Sequence, residues 1–155
     1  MPLSYSLTFD HPPAAPRLRI FAAVLFVPLL SLWTWKLLEP SPFPESVQDV
    51  LESLSVFVRF LMAKCLHAGG YATLAFLGCV WGRTSTARWC VLGFLLLHGI
   101  GSELAQHLLE WGRSGKVVDV AIDWVGTAAG IVVWGRFASR FTDDPRFAHL
   151  GAAEE

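Results

Sequence analysis

Four long apolar stretches divide the chain, and each is close to the ~20 residues that a helix needs to cross the hydrocarbon core of a bilayer. Polar or proline-rich turns at residues 39–44, 83–86 and 111–116 separate most of these stretches, because closely spaced prolines and turn residues end helices. The pattern predicts an all-α fold, a small polytopic bundle of four transmembrane helices over residues 17–138, with polar tails at 1–16 and 139–155. The expected spans are about Leu18 to Leu38, Lys64 to Gly82, Arg88 to Leu109 and Val117 to Phe137.

Residues 45–62 follow a different pattern, in which apolar side chains recur at helical spacing and polar side chains occupy the other face. The polar face carries Glu45, Gln48, Asp49, Glu52 and Ser55. This periodicity predicts a short amphipathic interfacial helix up to about Met62. It either lies on the membrane surface or leads into the second span.

The first apolar run also resembles a secretory signal peptide, since Arg17 and Arg19 precede the apolar residues that begin at Ile20. However, the run continues through Trp33 and Trp35, and no small-x-small cleavage site follows it. Bulky tryptophans are typical of the interface between membrane and water. We therefore expect an uncleaved membrane anchor.

Composition supports a single membrane domain. The 155 residues are 54% hydrophobic and only 16% charged, against roughly 25% charged in a typical soluble domain. The formal net charge of −1 leaves no basic surface for phosphates, which argues against nucleic acid as a partner. Three cysteines without CxxC spacing argue against a zinc cluster or a disulfide framework. No cofactor is expected, and membrane lipids are the expected partners.

Lysine and arginine near the ends of the spans predict the orientation, because cytoplasmic loops carry the excess. One side has seven: Arg17, Arg19, Arg83, Arg88, Arg136, Arg140 and Arg146. The other side has five: Lys36, Arg59, Lys64, Arg113 and Lys116. The bias predicts a multi-pass protein of the cell (inner) membrane with both termini in the cytoplasm.

Polar side chains inside the spans predict a functional site. Each ionisable group costs roughly 2.5–3.5 kcal/mol at the centre of a span, so such groups face a bundle interior or a polar cavity. Spacings of three and four residues place them on one face of each helix, and the predicted topology brings all of them near the outer surface. The expected cluster contains Lys64, His67, Tyr71, Glu103, Gln106, Asp119 and Asp123.

Charge complementarity predicts how this cluster is held together. Its two cationic side chains can pair with its three carboxylates across the helices, because a lone charge in an apolar medium is costly. In particular, we expect Glu103 to pair with Lys64 or His67. The turn that carries Arg113 and Lys116 is expected to close over the cluster.

Small residues predict that the helices approach one another closely beside the cluster. Gly126 and Gly130 have the GxxxG spacing that is typical of tightly packed membrane helices. The second and third spans also carry glycines near the cluster, which reduce their side-chain bulk: Gly69, Gly70, Gly99 and Gly101.

An ordered set of these residues resembles the VanZ-like membrane proteins, named for a protein associated with resistance to the glycopeptide teicoplanin. The matching pattern covers about residues 63–130. It reads Lys64-x-x-His67-x-x-x-Tyr71, Glu103-x-x-Gln106, Gly112-Arg113, Asp119, and Asp123-x-x-Gly126-x-x-x-Gly130. Family members often have Asp before the lysine, where this chain has Ala63, and Asn at the position of Asp123. The resemblance implies a bacterial-type envelope protein in envelope homeostasis or glycopeptide-type antibiotic resistance. It supplies no reaction.

Three functional hypotheses follow from the cluster. In the first, an outward-facing polar pocket binds an envelope lipid, a peptide or a glycan-linked ligand through Lys64, His67 and Arg113, with Glu103 and Asp119 orienting them. A related alternative is an ion-pair network that satisfies itself and only fixes the helix register.

In the second hypothesis, the protein is an enzyme acting on an envelope lipid, with His67 as general acid or base. No convincing nucleophile supports it, because Ser102 and His98 lie outside the matching pattern. His98 and His107 are interpreted as packing or interfacial residues.

The third hypothesis is a divalent metal or proton site formed by His67, Glu103, Asp119 and Asp123. The chain lacks HExxH or any other two-histidine spacing on one helix, so no metal is expected.

Overall fold

The computed structural model describes residues 13–39, 45–109 and 116–142, and this part of the chain is helical without any strand. Helices α1, α3, α4 and α5 are long and apolar enough to cross a membrane. The predicted all-α bundle of four spanning helices and one short helix is therefore confirmed, and the chain is a multi-pass membrane protein. The helices are α1 (Pro16–Leu38), α2 (Glu45–Ser53), α3 (Val56–Trp81), α4 (Ser85–Leu109) and α5 (Val117–Thr142).

The first span ends at Leu38 as its sequence predicts, and it begins at Pro16, two residues before the expected start. Pro16 stands at the start of α1, where a residue without an N–H group loses no helical hydrogen bond. At the other end, Lys36 Nζ lies 2.5 Å from Glu39 Oε2. A basic residue in the last turn also compensates the negative end of the helix dipole.

A break at Leu54 and Ser55 corrects the expected boundaries of the amphipathic helix and the second span. Ser55 is the N-cap of α3, and its Oγ accepts a hydrogen bond of 3.4 Å from the Val58 N–H. Serine is among the preferred N-cap residues because it satisfies a free amide of the first turn. The amphipathic helix therefore ends at Ser53, and residues 56–62 form the first turns of the spanning helix.

Helix α3 lies at the centre of the bundle and contacts α1, α4 and α5, with the most extensive contact to α5. Two glycines of α5 permit this contact. A Cβ added at Gly126 would overlap the Ala68 carbonyl oxygen, and one at Gly130 would overlap the Ala72 carbonyl oxygen. The predicted GxxxG packing is therefore a close approach of the α5 backbone to the α3 backbone.

One end of the bundle, here named the site end, brings together the end of α1, the first turns of α3, the end of α4 and the start of α5. The Gln106 side chain donates a hydrogen bond of 2.9 Å to the Leu37 carbonyl and so joins α4 to α1 there. Lys64 forms a salt bridge with Asp119 and joins α3 to α5. The expected convergence of these helix ends is confirmed.

The opposite end is closed by a buried arginine. Helix α4 starts at Ser85, three residues before the expected start at Arg88, and Arg88 is completely buried. Its Nε donates to the carbonyl oxygens of Cys79 at 3.2 Å and Gly82 at 3.1 Å. Its guanidinium carbon lies 5.1 Å from the centre of the Trp134 ring. A cationic side chain that donates hydrogen bonds to the last carbonyl groups of a helix stabilises that helix end.

Candidate functional site

The predicted polar side chains gather at the site end, on the facing sides of α3, α4 and α5. Spacings of three and four residues give each helix one polar stripe, and the three stripes meet in the bundle interior. The buried members are His67, Tyr71, Glu103, Gln106, Asp119 and Asp123. Arg113, which was predicted to bind ligand from the turn above the cluster, lies outside the described residues. The cluster is thus largely assembled as expected, although its internal pairing differs.

The pair nearest the surface consists of Lys64 and Asp119. The Lys64 ammonium forms a salt bridge with Asp119 Oδ1, and the two side chains keep 15% and 12% of their surface exposed. The Lys64 ammonium also lies 5.1 Å from the centre of the Phe60 ring. A cation over an aromatic face is attracted by the ring quadrupole. This pair therefore forms the partly open mouth of the cluster.

The second pair lies one helical turn further into the bundle. His67 Nδ1 and Asp123 Oδ1 are 2.9 Å apart, and the Asp123 side chain is completely buried. The Trp33 ring packs edge-on against both His67 and Tyr71, with ring centroids 6.1 Å and 6.4 Å away. The other carboxylate oxygen, Asp123 Oδ2, has no hydrogen-bond partner among the described residues. Buried polar atoms normally have a partner, so this oxygen is an open acceptor.

Glu103 has a different partner from the one expected. Its Oε2 accepts a hydrogen bond of 2.6 Å from the Lys116 backbone N–H, immediately before the start of α5. The prediction that Glu103 pairs with Lys64 or His67 is wrong, because α5 supplies an aspartate to each cation. The positive end of the α5 dipole favours the glutamate at this point. The second oxygen, Glu103 Oε1, is buried and has no partner among the described residues.

The structure adds His98, which the sequence suggested only as a packing or interfacial residue. His98 Nδ1 lies 2.8 Å from the Tyr71 hydroxyl, and His98 Nε2 lies 2.9 Å from Thr34 Oγ1. This histidine therefore connects α1, α3 and α4 through polar contacts. A signal was present in the sequence, because His98, Ser102 and Gln106 follow one another at intervals of four residues and share a face of α4.

Two other predicted residues serve the helix ends rather than the ion pairs. Gln106 joins α4 to the last turn of α1 through Leu37. Lys116 contributes its backbone N–H to the cluster, while its side chain is exposed. The closing role expected for this turn thus rests, within the described residues, on a main-chain group.

Three buried side chains of the cluster are close enough to share a cation. His67, Glu103 and Asp123 each offer one ligand atom, and the three atoms lie within 4.8 Å of one another. They come from three different helices, α3, α4 and α5. These are three of the four residues of the metal or proton hypothesis, and no local motif marks them because each helix contributes a single ligand.

An apolar groove lies beside the cluster, between α1 and α3. It encloses about 280 Å³. Trp33 is shared by the groove and the cluster, since the same ring packs against His67 and Tyr71. The lining residues are Leu29, Trp33, Cys65, Leu66, Gly69, Gly70, Thr73 and Leu74.

Comparisons with protein-family models, with curated proteins and with solved structures find no match. The helices and the cluster alone therefore define the class of this protein: a multi-pass helical membrane protein with buried ionisable residues at one end of its bundle.

Proposed function

We propose that this chain is a VanZ-like protein of a bacterial cell membrane and that it binds an envelope lipid at the site end of the bundle. The supporting observation is the apolar groove beside a partly open ion pair. The groove is lined by α1 and α3, and its Trp33 ring packs against His67, which lies one helical turn from the ion-paired Lys64. A lipid needs such a pair of surfaces, one for its acyl chain and one for its headgroup.

The ion pair at the mouth suits the polar part of that ligand. An ammonium group has three N–H donors, and Asp119 Oδ1 is the ion-pair partner that the structure gives to Lys64. The exposed fraction of both side chains leaves the pair open to a headgroup phosphate or hydroxyl. Lysine binds phosphate as a compact point charge.

The groove suits the apolar part. Gly69 and Gly70 lower its floor, and Leu29, Leu66 and Leu74 give it apolar walls. Burying each CH₂ group of a ligand in such a groove contributes at most about 0.8 kcal/mol relative to water. Because lipid tails are themselves apolar, the groove chiefly orients the ligand and the headgroup contacts provide the specificity.

In this proposal both termini lie in the cytoplasm and the site end faces outward. The ligand is then drawn from the outer leaflet or from the envelope outside it. The bias of lysine and arginine toward the opposite end supports this orientation, as does the resemblance to envelope proteins.

Gly69→Leu tests the proposal by filling the groove. A Cβ at Gly69 meets nothing within 4 Å, so the larger side chain starts in open space. The full chain is purified from native membranes in mild detergent, and the retained lipid is identified by native mass spectrometry. We expect the wild type to retain a distinct lipid and Gly69→Leu to lose most of it.

Gly93→Leu is the matched control, because a Cβ at Gly93 on α4 also meets nothing within 4 Å and lies away from the groove. This variant should retain the lipid like the wild type. Equal lipid retention by all three proteins would contradict the proposal, and so would a wild type that carries only the bulk lipids of the membrane.

A further inference from the structure

We infer that His67, Glu103 and Asp123 form a divalent metal site deeper in the bundle than the proposed lipid contacts. Each residue offers one ligand atom, the three atoms lie within 4.8 Å of one another, and all three residues are buried. The donors are one imidazole nitrogen and two carboxylate oxygens. Their positions are fixed by three separate helices, so the site depends on the tertiary fold.

Two unpartnered oxygens give the site its capacity to bind. Glu103 Oε1 and Asp123 Oδ2 are buried and have no hydrogen-bond partner among the described residues. Their side chains belong to residues that are only 5% and 0% exposed. Leaving a buried acceptor unsatisfied costs about 1–3 kcal/mol, and more for a charged group. One cation bound between the helices satisfies both oxygens.

The histidine is oriented for the same role. His67 Nδ1 lies 2.9 Å from Asp123 Oδ1. When His67 is neutral with its proton on Nε2, Nδ1 presents its lone pair on the side of the ring where Asp123 lies, so one ion can be bound by both residues. A neutral imidazole ligates metals through either ring nitrogen.

The charge of the cluster matches a divalent ion. Lys64 and Asp119 neutralise each other at the mouth. Below them, two carboxylates face a histidine that is neutral when it binds metal, so Glu103 and Asp123 carry a formal charge of −2 when both are ionised. A buried net charge of this size is strongly unfavourable. A bound divalent cation cancels it.

Gly99 borders the site. A Cβ added at Gly99 would lie 3.4 Å from Asp123 Oδ2 and 3.6 Å from the Tyr71 hydroxyl, so no Cβ of α4 occupies this position. An ion with bonds of about 2.0–2.2 Å places tetrahedral ligand atoms about 3.4 Å apart. Closing the separation from at most 4.8 Å requires shifts of about 1 Å, which rotations of carboxylate side chains supply.

The donor set selects the class of ion. Magnesium and calcium prefer shells made only of oxygen, and copper(I) prefers thiolate or thioether sulfur. One imidazole with two carboxylates suits Zn²⁺ or Mn²⁺. Three protein ligands leave at least one position for water or for another ligand.

Zinc titration of the metal-stripped protein tests the inference. The full chain in mild detergent is treated with a chelator, which is then removed, and Zn²⁺ alone is titrated by calorimetry. We expect one high-affinity ion per chain. Glu103→Gln and Asp123→Asn keep the shape of each side chain and remove its charge, so each should weaken binding at least about tenfold.

Cobalt(II) provides a second measurement at the same site, because its visible absorption reports coordination number and ligand type. The wild type should give bands of a four- or five-coordinate ion with nitrogen and oxygen ligands, and both variants should lose them. Glu52→Gln, a change of an exposed carboxylate on α2, is the matched control and should bind like the wild type. Helical circular dichroism and the elution volume show whether each variant is folded.

Three results would overturn the inference. A folded wild type that binds no Zn²⁺ excludes the site. Unchanged affinity in Glu103→Gln and Asp123→Asn would place the ion on other histidines or carboxylates. Proton uptake by the two carboxyls without any metal binding would identify a shared proton as the neutralising cation. Each result leaves the lipid proposal standing, because no lipid is needed in the titration.

Discussion

The contact between α3 and α5 makes a sharp prediction about Gly126. An alanine Cβ at this position would overlap the carbonyl oxygen, the Cα and the carbonyl carbon of Ala68. These are backbone atoms, so no side-chain rotation relieves the overlap and the two helices must separate. Overpacking of this kind costs about 1–3 kcal/mol, while the higher helix propensity of alanine returns up to about 1 kcal/mol. We expect Gly126→Ala to lower the free energy of unfolding by about 1–2 kcal/mol.

Gly135→Ala on the same helix is the matched control, because a Cβ there meets nothing within 4 Å. This substitution has only the gain in helix propensity, so it should leave stability unchanged or raise it by up to about 1 kcal/mol. Unfolding is followed by circular dichroism as sodium dodecyl sulfate is added to mild-detergent micelles. If Gly126→Ala is as stable as Gly135→Ala, the backbones of α3 and α5 are not in close contact at Gly126.

Three further predictions address the ion pair, the orientation and the buried arginine. In a double-mutant cycle, Lys64→Leu and Asp119→Leu should each lower the free energy of unfolding. The double variant should lose about 0.5–3 kcal/mol less than the sum of the two single losses, and additive losses would contradict the ion pair. In a cysteine-free background, an impermeant maleimide should label Val117→Cys on intact cells and spare Thr86→Cys; the reverse pattern would invert the topology. Arg88→Met removes two hydrogen bonds to carbonyls and should cost about 3 kcal/mol in the detergent unfolding assay; unchanged stability would refute that anchoring.

The spanning helices could be predicted because an apolar stretch of about 20 residues with few charges has few stable alternatives to a membrane helix. The end of the first span at Leu38 is the same in sequence and structure. The break at Ser55 could not be predicted, because apolar residues recur at helical spacing on both sides of it. An N-cap depends on one side-chain hydroxyl and on the backbone angles around it, and the spacing of apolar residues carries no information about either.

The membership of the polar cluster could also be predicted, whereas its pairing could not. A spacing of three or four residues places side chains on one face of a helix, but it does not fix how far that helix is rotated toward each neighbour. In the structure, Lys64 and His67 meet Asp119 and Asp123 in the same order along α3 and α5. Glu103 instead accepts a hydrogen bond from a backbone N–H. Every residue except proline has this group, so the sequence does not indicate which one is the donor.

His98 changes the physical picture of the cluster from isolated ion pairs to a longer polar path. Its two ring nitrogens contact the Tyr71 hydroxyl and Thr34 Oγ1. Thr34 Oγ1 also donates a hydrogen bond of 2.8 Å to the Leu30 carbonyl on α1. Polar groups therefore continue from the partly exposed mouth at Lys64 to the first helix, on the far side of the buried carboxylates. Because a polar network in a medium of low dielectric constant is stable only when its members are satisfied, the open oxygens of Glu103 and Asp123 are the part of this path that most needs a cation.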